Sequence, residues 1–134
     1  MFKLIKIQNS GVNVPEPIHL KKPASLKVKA GDALIIENGY VSACPATTTP
    51  THIAFADGKS NDYNALAYEI NENMLFETTV GADPTALTVG QKVTLGKDTN
   101  NAASYVTATT ASGVATIVDL MDAAISGDKI TVKF

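Results

Sequence analysis

Three times in this chain an apolar approach meets a glycine beside a polar residue and leaves as a strand with alternating side chains. Residues 26–36 read Leu-Lys-Val-Lys-Ala-Gly-Asp-Ala-Leu-Ile-Ile, and residues 87–95 read Leu-Thr-Val-Gly-Gln-Lys-Val-Thr-Leu. Residues 125–134 read Ile-Ser-Gly-Asp-Lys-Ile-Thr-Val-Lys-Phe. Glycine carries the backbone through the turn, and the period of two gives each strand two distinct faces. Hairpins repeated in this way predict an all-β chain, a compact β-barrel or sandwich of short strands. No residue type that usually does chemistry is attached to the phrase. Binding and bracing fit it better than catalysis.

Length and charge narrow the function classes. A chain of 134 residues fits one compact domain, or two small β-units sharing a core. Apolar residues make up 45% and charged residues 18%, enough to bury a core and to argue against global disorder. The net charge of −2 gives no electrostatic reason to seek nucleic acid or an acidic membrane. Every basic residue is lysine, and tryptophan is absent. Without guanidinium forks a nucleic-acid reader is not expected. No run of about 18 apolar residues encodes a membrane helix, and residues 1–7 lack the apolar core of a signal peptide. Synthesis in the cytoplasm is expected, with any later location reached by assembly.

Residues 1–25 differ in character from the rest of the chain. Phe2, Leu4, Ile5 and Ile7 form an apolar stretch broken by Lys3 and Lys6; Pro15, Pro17 and Pro23 then remove backbone donors. Two readings stand side by side: an extended arm with apolar anchors Val12, Val14, Ile18 and Leu20, or an edge strand folded onto its own domain. Residues 26–134 form a β-rich body, as one unit or as two over 26–80 and 81–134. Strands are predicted at Ala33–Glu37, Tyr40–Ala43, Ile53–Ala56, Ala65–Ile70 and Met74–Thr79. Further strands are predicted at Lys92–Leu95, Ser104–Thr109, Val114–Leu120 and Lys129–Phe134. Asn38-Gly39 is a type I′ hairpin signal. A helix over Tyr63–Glu72 competes on propensity, and one helical turn is expected within Asp119–Ile125. The loop at 45–51 reads as solvent-facing chain.

The search for chemistry returns structural explanations. Cys44 is the single cysteine, so an internal disulfide is impossible, and a small buried residue is the expectation. His19 and His52 lack the short spacing of a local metal motif. A Cys44–His52 dyad has no third orienting group, and proline follows the cysteine. Asp32 and Asp128 follow glycine as turn residues do. The stretch Asp57–Asp62 lacks the acidic alternation of a calcium loop. The Gly31-Asp32 turn is similar to that of biotinyl and lipoyl carrier domains, but Lys29 and Lys59 have no methionine beside them. No catalytic residue, cofactor or metal is expected.

The order of segments resembles the capsid decoration, or cement, proteins of tailed bacteriophages and prophages. The resemblance runs from about residue 26 to residue 134. It rests on Lys-Ala-Gly-Asp-Ala-Leu-Ile-Ile-Glu-Asn-Gly-Tyr at 29–40, Pro-Thr-His-Ile-Ala-Phe-Ala at 50–56 and Met-Leu-Phe-Glu-Thr-Thr at 74–79. It continues through residues 87–95, the threonine-rich 107–118 and the closing 127–134. The resemblance implies a non-enzymatic virion protein on the outer surface of the capsid, with the major capsid protein as partner. It implies a homotrimer placed where capsomers meet, and an N-terminal arm reaching neighbouring subunits. Phe2, Leu4, Ile5, Ile7, Val12, Val14 and Ile18 are the capsid-binding candidates. A free-standing adhesion or carbohydrate-binding module is the alternative, using loop threonines with Tyr40, Tyr63 and Tyr68. A carrier or small enzyme acting through Lys29 or Cys44 is a third class, and it is not expected.

Overall fold

A computed structural model describes residues 1–8, 15–59 and 62–134. The described residues contain strands and no helix. The first six are β1 (Lys3–Ile7), β2 (Ile18–Lys21), β3 (Ala33–Glu37), β4 (Tyr40–Ala43), β5 (His52–Ala54) and β6 (Asn64–Glu69). The remainder are β7 (Met74–Thr79), β8 (Lys92–Val93), β9 (Leu95–Lys97), β10 (Ala103–Val106), β11 (Ala115–Asp119) and β12 (Lys129–Lys133). They form two antiparallel sheets. One has five strands in the order β1-β7-β12-β11-β8. The other has seven, β2-β6-β5-β3-β10-β9 with β4 beside β3. A parallel bridge between Val80 and Val106 ties one sheet to the other. The architecture is sandwich-like and does not close into a barrel, although β2 runs alongside β4. Each sheet takes strands from both sides of residue 80.

Side-chain alternation explains the two cores. In β12, Ile130 and Val132 are buried, and they meet Phe76, Met74, Ile117 and Val93 between the sheets. Phe134 closes this core, its ring 5.3 Å from Phe2 and 5.6 Å from Phe76. The seven-stranded sheet curls round a second, smaller core of Val28, Leu34, Val41, Ala54, Ala65 and Ala67. Ala65 and Ala67 lie on β6 between β2 and β5, so tertiary pairing overrides the helical propensity of residues 63–72.

Local chemistry sets the turns. Asn38 and Gly39 both have positive φ, 51° and 79°, as the type I′ turn between β3 and β4 requires. The strand expected at Lys92–Leu95 is divided. Thr94 lies between β8, which pairs in the five-stranded sheet, and β9, which pairs in the seven-stranded sheet. Its backbone exchanges hydrogen bonds with Thr107 and Thr109, both 2.9 Å, and its hydroxyl lies 2.6 Å from that of Thr107. One short segment therefore passes from layer to layer with its polar groups satisfied. The helical turn expected in Asp119–Ile125 does not form. Met121 and Asp122 have positive φ, and the Asp128 carboxylate accepts hydrogen bonds from the amides of Ala124 and Ile125.

The N-terminal strands are built into the sheets. β1 pairs with β7 and β2 with β6, so Lys3–Ile7 and Ile18–Lys21 are edge strands of the two sheets. The Phe2 amide donates to the Gly31 carbonyl at 3.0 Å, and its side chain is 2% exposed.

Candidate docking surfaces

Three of the residues singled out for chemistry, Cys44, His52 and Asp32, occupy structural positions. Cys44 is fully buried, and its thiol donates to the Thr48 carbonyl at 3.0 Å. Burial pushes its pKa up to about 11, with Lys97 acting weakly against it. A thiol so held is a poor nucleophile. We expect it to resist a disulfide reagent at pH 8 in the folded protein and to react fully in denaturant. Rapid labelling of the native protein in a stopped-flow assay would contradict this. His52 is buried at the start of β5, its Nδ1 lying 2.8 Å from the Thr51 hydroxyl. Burial lowers its pKa, and Glu69 opposes the shift. The Cys44 and His52 side chains thus have separate partners. Among the described residues no three His, Cys, Asp or Glu side chains come together as a metal site.

Asp32 is the buried acid. Its carboxylate accepts the Lys29 amide at 2.7 Å, closing the Gly31-Asp32 turn. Burial pushes its pKa up to about 6; the Lys29 hydrogen bond works against this, and the charge of Asp98 adds to it. The folded chain therefore favours the protonated acid. Its contribution to stability is complete below about pH 4 and is lost as the pH rises through about 6. The Asp32→Asn variant keeps an acceptor for the Lys29 amide and removes the titration. Its urea midpoint is expected to overtake that of the parent between pH 4 and pH 6.5, and parallel pH profiles would refute the assignment.

The seven capsid-binding candidates are scattered by the fold. Phe2 belongs to the main core, and Leu4 and Ile7 pack partly buried against it. Ile5 is 45% exposed at a bulge in β1, and Ile18 is 42% exposed on β2 in the other sheet. Val12 and Val14 lie outside the described residues. The inward turn of Phe2 reflects its hydrogen bond to Gly31 and its contact with Phe134, both long-range.

Among the grooves lined by described residues, two contain exposed aromatic rings. A mostly apolar one of about 210 Å³ runs between β1 and β5, walled by Met1, Leu4, Phe55 and Tyr68. The Phe55 and Tyr68 rings meet edge to face at 5.2 Å. A more polar one of about 370 Å³ lies beside β2 and β6, with His19, Asp57, Asp62 and Asn64 in its wall and Tyr63 72% exposed at its rim. Sequence reasoning named Tyr63 and Tyr68 but had no means of placing His19 of β2 beside the first or Met1 and Leu4 beside the second, since these lie more than forty residues away in the chain.

No family model matches the sequence, and no curated protein matches it. Among solved structures, the chain is similar to the N base of head fiber gp8.5 of bacteriophage phi29. The likeness has a TM-score of 0.55 at 21% identity and covers 88% of this chain and 93% of that one. The shared feature is the fold. The chain is thus a two-sheet, all-β body of a kind found in the base of a phage head fiber.

Proposed function

We propose that this chain is a structural protein of a phage virion that docks on the outside of the head and braces the shell. The observation that carries this reading is the fold, which matches a phage head-fiber base over nearly the whole of both chains. The quiet chemistry supports it. Cys44, His52 and Asp32 are occupied in holding turns and strands, which suits a non-enzymatic part. The partner is the major capsid protein, with neither nucleic acid nor membrane required. A homotrimer is proposed by analogy with cement proteins. Many copies on a lattice turn modest single-site affinity into firm attachment.

Co-sedimentation with undecorated, expanded heads tests the proposal, with light scattering of the free protein alongside. Saturable binding at a fixed ratio to capsid subunits is the expected result. Absence of binding at any ratio would remove the reading. The groove beside Tyr63 favours one alternative, a free-standing carbohydrate-binding module, because an exposed ring with carboxylates and an amide nearby suits a sugar. That module would bind glycans as an isolated protein and ignore the heads.

A further inference from the structure

The outward face of the five-stranded sheet concentrates positive charge. Ile130 and Val132 turn into the core, so Lys129, Thr131 and Lys133 of β12 lie on the opposite face, where Thr131 is buried with its hydroxyl on the Met121 sulfur and the two lysines flank it. Register then assigns their neighbours. Lys133 pairs with Thr116, and Thr116 with Lys92, which places Lys133 and Lys92 on one row about 10 Å apart. On the next row Lys3 pairs with Glu77, Glu77 with Thr131, and Thr131 with Asp119. Lys6 joins the same face because β1 is bulged. Leu4 pairs with Phe76 and Lys6 with Leu75, so Ile5 is the extra residue. Unbroken alternation would turn Lys6 inward; the bulge returns it to the lysine face and turns Ile7 toward the core.

Among the described residues this face therefore carries five lysines (Lys3, Lys6, Lys92, Lys129 and Lys133) against two carboxylates, Glu77 and Asp119. The rest of the chain holds the remaining six lysines and eleven carboxylates. A nearly neutral protein is thus polarised, one sheet face basic and the remainder acidic. Edge protection explains part of this, since lysines on edge strands discourage unwanted pairing, and β1 and β8 are edges. It does not explain Lys129 and Lys133, which lie on the central strand. Of the five, Lys129 makes an ion pair among the described residues, to Glu77 at 2.8 Å. The Asp119 carboxylate is engaged by the Met121 amide.

We propose that this lysine face is a docking surface for a carboxylate-rich protein surface. Charge complementarity selects an acidic partner, and the extent of the face selects protein over nucleic acid. Five strands span about 19 Å. A longer polyanion would run onto the acidic remainder of the chain, within about one Debye length. The face also lacks arginine forks and aromatic rings on which bases stack. Identifying the acidic surface with the phage shell rests on the function proposed above; the polarity of the sheet does not.

The test uses the full chain and immobilised poly-L-glutamate as an acidic polypeptide. Parallel arms use a double-stranded oligonucleotide and undecorated heads. The face variant is Lys3→Glu with Lys92→Glu and Lys133→Glu; the corresponding glutamine variant replaces it if the charge reversal fails to fold. The control reverses Lys21, Lys27 and Lys59, exposed lysines outside this sheet. Polyglutamate binding should fall at least about tenfold in the face variant and in raised salt, and change little in the control. Equal losses in face variant and control would overturn the proposal, as would a parent that binds the oligonucleotide as tightly as polyglutamate. Heads that retain the face variant as they retain the parent would also overturn it. Loss of polyglutamate binding in the face variant, with heads that bind neither protein, would uphold the face and remove the virion reading instead.

Discussion

The Phe76→Ala variant is expected to lose about 3–5 kcal/mol of folding stability. Phe76 is fully buried on β7, the strand flanked by β1 on one side and β12 on the other. It faces Leu4 and Val132 across those two seams and packs its ring on Phe134. Removing it opens a cavity between rigidly paired strands, and β-sheet backbone closes poorly over such a gap. Urea denaturation followed by far-UV circular dichroism measures the loss. A change below about 1 kcal/mol would mean that the core beneath Phe76 collapses freely, contrary to the packing described.

The Gly31→Ala variant should cost about 3 kcal/mol or more, although it adds only one methyl group. Gly31 has φ of +84°, where an alanine is strained, and its backbone supports the N-terminal strand. A Cβ here would run into the Met1 side chain and lie 2.9 Å from the Phe2 nitrogen and 2.8 Å from the Phe2 oxygen. The methyl group and the first strand cannot share that space, so Phe2 leaves its seat against Phe134. Gly39→Ala is the matched control. It has φ of +79° with nothing within 4 Å of the added atom, so only the conformational strain of about 1–2 kcal/mol applies. Hydrogen exchange at the Phe2 and Gln8 amides should accelerate in Gly31→Ala alone. Equal behaviour of the two variants would show that the seat of Phe2 contributes nothing.

Local signals in the sequence were sufficient where neighbours in the chain are also neighbours in space. The β3–β4 hairpin and β7 match their expected bounds because alternation and the Asn38-Gly39 turn act within a few residues. Properties that depend on distant partners were hidden. Nothing local in Lys92–Lys97 marks Thr94 as the crossing point, since its partners Thr107 and Thr109 lie on a later loop. The bulge at Ile5 is defined only by its pairing with β7, so the N-terminal apolar run could be read as a free arm or as an edge strand. Of the lysine face, only the alternation of β12 was visible. The other lysines come from β1 and β8, and no periodicity links Lys3 or Lys6 to Lys92 and Lys133. Asp119 turns away from the expected helix because its carboxylate holds the Met121 amide, an interaction as compatible with a turn as with a helix start.

The order of strands in the five-stranded sheet also governs when this protein can fold during its synthesis. β12, residues 129–133, stands between the β1–β7 pair and the β11–β8 pair. Until a ribosome has released it, those pairs are two separate two-stranded ribbons, each marginal in water. Phe76 and Ile117 then have no sheet to pack beneath. The seven-stranded sheet needs nothing beyond residue 106, so it is complete in the nascent chain while its partner layer is still open. A translating chain therefore carries a half-built sandwich with an uncovered apolar face until its closing residues emerge. Premature termination a few codons before residue 129 would yield an aggregating product, not a slightly shorter functional one.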